Sequence, residues 1–176
     1  YKDHLTGHGI RATISTALTG RAGLSYDWSD TFMTYANVGR GAVAGGFSAT
    51  ALNIMFGRDE TLYPTSTSWS YEAGFKSTLW DGRATLNAAV FYNDVSKGHL
   101  MSFNPSNFAY EVATLDYTSY GGEIEARVMI SPEWTVFGNL GYTHATIGNV
   151  PAGHPSGAAS GYKVPNIPNF TANIGA

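Results

Sequence analysis

The chain has no cysteine, little charge and no long apolar run. Zero cysteines exclude a disulfide scaffold, a thiolate metal site and a cysteine nucleophile, and they leave the redox compartment open. Charged residues make up 13% of the sequence, about half the usual share of roughly 25%. The net charge of -3 and the lack of any Lys/Arg run offer no basic field, so nucleic-acid binding is excluded. The richest apolar run is Ala88 to Tyr92, far short of the roughly 18 residues that a transmembrane helix needs. No Gly-x-Ser-x-Gly elbow, His-Glu-x-x-His pair or calcium loop occurs, no repeat of propeller or solenoid length recurs, and no pattern calls for a cofactor or a metal.

What is abundant is aromatic residues, at 14%, and glycine, at 21 residues. The 176 residues suit one domain or a piece of a larger one. Within the extended segments the charges keep to one parity. From Trp69 to Leu79, the residues Trp69, Tyr71, Ala73, Phe75 and Leu79 alternate with Ser70, Glu72, Gly74, Lys76 and Thr78. From Tyr117 to Ile130, the residues Tyr120, Ile124, Ala126, Val128 and Ile130 alternate with Ser119, Glu123, Glu125, Arg127 and Met129. Period-two alternation with aromatics on one side and charges on the other describes a strand between oil and water.

Seven strands are expected, at Leu18–Trp28, Thr31–Gly39, Trp69–Leu79, Ala84–Val95, Tyr117–Ile130, Trp134–Ile147 and from Asn169 onward, after a polar lead-in that ends near Thr16. Most are long enough to cross a bilayer at a tilt, which takes about 9 to 11 residues. On the first strand Arg21, Ser25 and Asp27 share the polar parity, whereas on the second neither parity stands out. In the fourth, Asp94 falls on the apolar parity and fits only near a headgroup rim. The connections alternate: Ser29-Asp30, Trp80 to Arg83 and Ser131 to Glu133 are tight, and Gly41–Ser68, Ser96–Asp116 and Gly148–Asn166 are long loops. Asp81-Gly82 supplies a hairpin's positive dihedrals and Pro132 presets φ in its turn. Short turns at one end and long loops at the other match an outer-membrane barrel, with the long loops outside. Trp28, Trp80 and Trp134 flank the tight turns, where an aromatic girdle belongs.

Candidate functional residues follow from this placement. Glu72, Lys76, Glu123, Glu125 and Arg127 would line a watery lumen, a simpler reading than paired catalytic acids. The glycine-rich stretch Gly39 to Gly46 lacks the third dinucleotide glycine and a following helix, so it reads as loop backbone. In the outer loops Arg40 and Arg58 can pair with anionic oxygens, and Phe47, Tyr63, Phe103, Phe108 and Tyr110 can stack on a flat ligand. His99, His144 and His154 lie toward the same end, while His4 and His8 sit among glycines that disfavour a helical ligand pair.

Particular phrases go further. Tyr35 to Phe47 (YANVGRGAVAGGF), Ser68 to Val95 (SWSYEAGFKSTLWDGRATLNAAVFYNDV), Ser119 to Ala145 and Tyr162 to Gly175, in that order, resemble the barrel of TonB-dependent outer-membrane receptors. The resemblance covers nearly everything after Leu18 and departs at Ala42, where the family commonly carries an aromatic. It implies an all-β fold, an open antiparallel meander cut from a barrel of about 22 strands, in the outer membrane of a Gram-negative bacterium. It implies no enzyme activity, uptake of a scarce ligand such as a ferric siderophore, and energy from the TonB complex through an N-terminal region not represented in residues 1–176. That span reads as one partial barrel domain, with 1–17 a loop or the end of a preceding strand, starting without an initiator methionine and without a plug. The same alternation also suits a smaller outer-membrane enzyme or adhesin barrel, and receptors for haem, cobalamin or glycans share the larger barrel. A soluble barrel or sandwich would need the two parities reversed.

Overall fold

The computed structural model describes residues 14–48, 61–104, 109–150 and 158–176. Its strands are β1 (Gly20–Ser29), β2 (Phe32–Val43), β3 (Gly46–Ser48), β4 (Thr61–Tyr63), β5 (Ser66–Leu79), β6 (Ala84–Asn104), β7 (Ala109–Met129), β8 (Thr135–Ile147) and β9 (Phe170–Gly175). Seven of them form one sheet in the order β1-β2-β5-β6-β7-β8-β9, every neighbouring pair antiparallel. The sheet is open, with β1 and β9 at its edges. The seven expected strands are therefore the seven strands of the sheet, and β3 and β4 form a separate small hairpin inside the β2–β5 connection.

Two tight turns lie where the sequence placed them and the first lies one residue further along. β1 and β2 join through Asp30-Thr31. Trp80, Asp81 and Gly82 take φ values of 54°, 54° and 86°, the left-handed conformation that an Asp-Gly hairpin favours. The third turn is closed by Ile130 N–H donating to the Trp134 carbonyl at 2.9 Å.

One expected long loop is not a loop. Ser96–Asp116 is mostly paired backbone, since β6 and β7 are each 21 residues long and stay in register from Gly98↔Leu115 to Asn104↔Ala109. The ladder passes through a bulge at Ser96-Lys97, where Lys97 adopts φ 56° and its N–H donates to Asp116 Oδ1 at 2.7 Å. A bulge adds one residue to one strand and so exchanges its faces. A sequence parity read through Ser96-Lys97-Gly98 fails there for this reason.

Facing side chains of antiparallel partners share a face, so the registers assign every strand. Ala22, Val38, Tyr71, Tyr92, Tyr120 and His144 stand on one face, and Gly23, Asn37, Glu72, Phe91 and Gly121 on the other. On β2 this puts Met33, Tyr35 and Asn37 on the polar face and Phe32, Ala36 and Val38 on the apolar one. Phe75 and Val128 lie opposite Glu72, as the alternation requires.

The apolar face has the composition of a lipid contact. Val90 is 63% exposed and Leu24 82%, side chains a soluble core would cover. Away from the tyrosine rung, two of its hydroxyls are bonded within the sheet: Ser77 Oγ donates to the Leu86 carbonyl at 2.7 Å, and Thr34 Oγ1 accepts from the Trp28 indole at 3.0 Å. On β6 the apolar stripe runs from Ala84 to Asp94, about 33 Å along the strand at ~3.3 Å per residue. At the tilt of such strands that spans about 25 Å, the height of a barrel's apolar band. Among the described residues the buried apolar side chains are small in number, and Val95, Ala113, Leu115, Ala145 and Ile147 gather at the end of the long connections. There the β3–β4 hairpin lies against β7.

Candidate lumen wall and outer mouth

The polar face is built rung by rung. Glu72, Lys76, Glu123, Glu125 and Arg127 all stand on it, as the parity of β5 and β7 predicts. Asn37 pairs with Glu72 across β2–β5, and its Nδ2 donates to Glu72 Oε1 at 3.5 Å. The Tyr35 ring crosses over Gly74, its register partner, on the same face as Glu72. Nearer the outer end, Asn93 accepts from Ser70 Oγ and donates through Nδ2 to Ser119 Oγ at 3.2 Å, so three strands are laced at one level. Toward the other end Lys76, Asn87, Glu125, Asn139 and Asn173 form a single rung. A recess of about 260 Å³ opens between Lys76, Asn87, Glu123, Glu125 and Asn139.

Tyr35, Asn37, Asn93 and Asn139 were not among the sequence candidates. Asparagine carries no charge to mark a parity, and Tyr35 presents an apolar body to a composition count. Cross-strand partners identify them where alternation does not.

The outer candidates divide. Tyr63 on β4 and His99 on β6 meet edge to face with centroids 4.8 Å apart, and a His99 ring nitrogen lies 2.8 Å from the Pro64 carbonyl. Phe47 pairs with Leu62 in the same small hairpin. Phe103 is 44% exposed on the far part of β6. His99 and Phe103 are thus strand residues, not loop residues, projecting on the extended β6–β7 hairpin. Arg40 is also in a strand: it belongs to β2 and pairs with Trp69 on the apolar face, away from Glu72. His144 shares that face, its ring 5.2 Å from Tyr120. Arg58, Phe108, His4, His8 and His154 fall outside the described residues, and nothing of the Tyr110 side chain is described.

Two girdles bound the apolar face. Trp28, Trp80 and Trp134 are 65%, 67% and 61% exposed beside the tight turns, as expected. At the opposite end Tyr71, Tyr92, Tyr120 and His144 form one rung across β5 to β8, which the sequence reading had not gathered. Among the described residues no group of three or more His, Asp or Glu side chains could hold a metal ion. Among the described residues the polar face carries hydrogen-bonding amides and hydroxyls together with charges of both signs.

A family model described as TonB dependent receptor-like, beta-barrel matches residues 1–176. Among solved structures, the chain is similar to the ferric yersiniabactin uptake receptor FyuA from Yersinia pestis, at 23% identity and TM-score 0.68, covering 88% of this chain and 22% of that one. It is similar to the alcaligin outer-membrane receptor FauA from Bordetella pertussis, at 23% identity and TM-score 0.60, over 92% of this chain and 26% of that one. It also resembles the copper transporter OprC, at 15% identity and TM-score 0.65, over 89% and 22%. The chain therefore spans about a quarter or less of the length of these structures.

Proposed function

The chain belongs to the TonB-dependent receptor-like β-barrel family, receptors of the Gram-negative outer membrane, and we propose that it is a wall segment of an importer for a ferric siderophore. The observation that carries this reading is the segregation of the two faces over one register-locked sheet: Asn37, Glu72, Asn93 and Glu123 on one side, Val38, Tyr71, Tyr92 and Ile124 on the other. Only a closed barrel satisfies the backbone of such strands in lipid, so the free edges of β1 and β9 pair with further strands of one barrel domain. In that barrel Glu72, Lys76, Glu123, Glu125 and Arg127 line the lumen. Phe47, Tyr63, His99 and Phe103 stand above the membrane at the mouth, where an aromatic and imidazole surface receives a chelate. The energy comes from the TonB complex, through parts of the receptor other than these strands.

The siderophore is favoured over other cargo because FyuA and FauA are named for ferric yersiniabactin and alcaligin. The likeness to a copper transporter keeps a copper complex as the second reading. The test is uptake of radioactive iron by a host that lacks its own siderophore receptors and expresses the whole receptor gene, given a panel of ferric chelates. Radioactive copper, haem and oligosaccharides are run as separate arms. Uptake of at least one ferric chelate, abolished by loss of TonB, is expected; uptake confined to copper or a glycan would overturn the siderophore reading. With the cargo in hand, the double variant Tyr63→Ala/His99→Ala is expected to raise the half-saturating concentration about ten-fold, the loss of one stacking surface, at unchanged receptor abundance.

A further inference from the structure

On the apolar face, at the end of the long connections, one rung differs from those below it. Arg40, Trp69, Asp94 and Thr118 are successive register partners, one step beyond the aromatic rung of Tyr71, Tyr92 and Tyr120. A cation here stands at the headgroup level of the outer leaflet, above an aromatic belt. Its guanidinium carbon lies 5.6 Å from the Trp69 ring centroid, and Trp69 is itself stacked on Tyr71 at 18° between planes. The guanidinium therefore lies over one ring of a stacked aromatic pair.

It is also short of acceptors. Arg40 Nε is buried and has no hydrogen-bond partner. Asp94 shares the rung but sits two strands away, about 10 Å at ~4.8 Å per strand, with Trp69 between them. With Nε covered, the two terminal Nη groups carry four donors in a planar fork that matches phosphate oxygens. On the other flank its partner is Gly20, which has no side chain to lay over the guanidinium. Leu18, Ala22, Val38 and Trp69 line a depression of about 320 Å³ beside Arg40, an apolar channel running from the cation along the face that lipid chains cover.

We propose that Arg40 binds a phosphate group of an outer-leaflet lipid, with an acyl chain of that lipid lying along Leu18, Ala22 and Val38. The site is separate from the solute path, since Arg40 and Glu72 stand on opposite faces. It fixes a lipid at the outer rim of the β1–β2–β5 wall.

The test is native mass spectrometry of the whole receptor, purified from outer membranes, stripped of lipid and titrated with a bisphosphorylated lipid A or with the same lipid after enzymatic removal of its phosphates. The wild-type receptor is expected to hold the phosphorylated lipid about ten-fold more tightly, the scale of a charge-assisted hydrogen-bonded pair. Arg40→Gln is expected to abolish that preference and Arg40→Lys to keep part of it. Lys76→Gln, a cation lost from the opposite face, is expected to keep all of it. Retained heat-modifiable electrophoretic mobility shows that each variant is folded, and Arg40→Lys keeps the test open should Arg40→Gln fail to fold. Equal binding of the two lipids by the wild type, or an undiminished preference in folded Arg40→Gln, would overturn the proposal. Displacement of the lipid by millimolar inorganic phosphate would also overturn it, assigning the site to a free anion. None of these outcomes depends on which cargo the receptor imports.

Discussion

Aromatic side chains occupy both faces of the sheet, and the two sets are arranged differently. On the lipid face they stand side by side along a rung: Tyr71 and Tyr92 are register partners with ring centroids 6.4 Å apart, and both remain more than two-fifths exposed. On the polar face they lie across glycines. Phe91 covers Gly121, Tyr35 covers Gly74 and Phe137 covers Gly175, each pair being register partners. Rings that meet lipid gain from exposure there, since each presents an apolar body at an interface. A ring facing water gains by folding down onto the bare backbone of a neighbouring glycine, a device known to strengthen glycine positions in sheets. The same residue type thus marks a membrane boundary on one face and patches the wall on the other.

The largest test of this contrast is a charge placed on each face at adjacent positions. Val90→Arg puts a guanidinium in the middle of the apolar stripe and is expected to cost about 2–4 kcal/mol, the range for arginine at the bilayer midplane. Ala89→Arg stands on the polar face between Gly74 and Glu123 and is expected to cost less than about 1 kcal/mol. Urea unfolding of the whole receptor in lipid vesicles measures both. Equal costs would mean that the two faces do not meet different solvents.

Adjacent glycines sharpen it next. At Gly121 a Cβ would overlap the Tyr142 carbonyl and come within 2.9 Å of the Phe91 ring. At Gly122, on the lipid face, the nearest atoms are the Ala89 carbonyl at 3.1 Å and a Val90 methyl at 3.4 Å. Gly121→Ala is expected to destabilise by about 1–3 kcal/mol, the cost of overpacking, and Gly122→Ala by under about 1 kcal/mol. Truncating the ring in Phe91→Leu relieves only part of the Gly121→Ala cost, because the backbone carbonyl of Tyr142 stays in place. The same vesicle assay reads all three variants.

How far the sequence disclosed this arrangement depended on charge. β5 and β7 were legible because Glu72, Lys76, Glu123, Glu125 and Arg127 label one parity. β2 was not, because its positions on the polar face include Met33 and Tyr35, and Tyr35 offers that face only the hydroxyl at the end of an apolar ring. The outer half of the β6–β7 hairpin was hidden by its bulge: Ser96-Lys97-Gly98 looks like a turn, yet the two strands re-pair beyond it. Arg40 looked like a loop cation beside glycines. Its place over Trp69 follows from a register that no local pattern contains.

The finest test lies within the polar face, in the chain from Ser70 through Asn93 to Ser119. Ser119 is 8% exposed, whereas Ser70 is open to solvent, so the two ends of the chain differ in what replaces a lost partner. Removing the side chain in Asn93→Ala leaves Ser70 to bond water at little cost, but leaves Ser119 buried and short of a donor. The expected loss is about 1 kcal/mol, that of one buried neutral hydrogen bond. A double-mutant cycle separates the ends: the Asn93–Ser119 coupling is expected at about 0.5–1 kcal/mol, and the Asn93–Ser70 coupling near zero. Asn93→Asp is expected to be milder than Asn93→Ala, because the Ser119 hydroxyl can rotate and donate to the carboxylate. Equal couplings at both ends would mean that water fails to reach Ser70, and that the polar face is not a wetted lumen at this level.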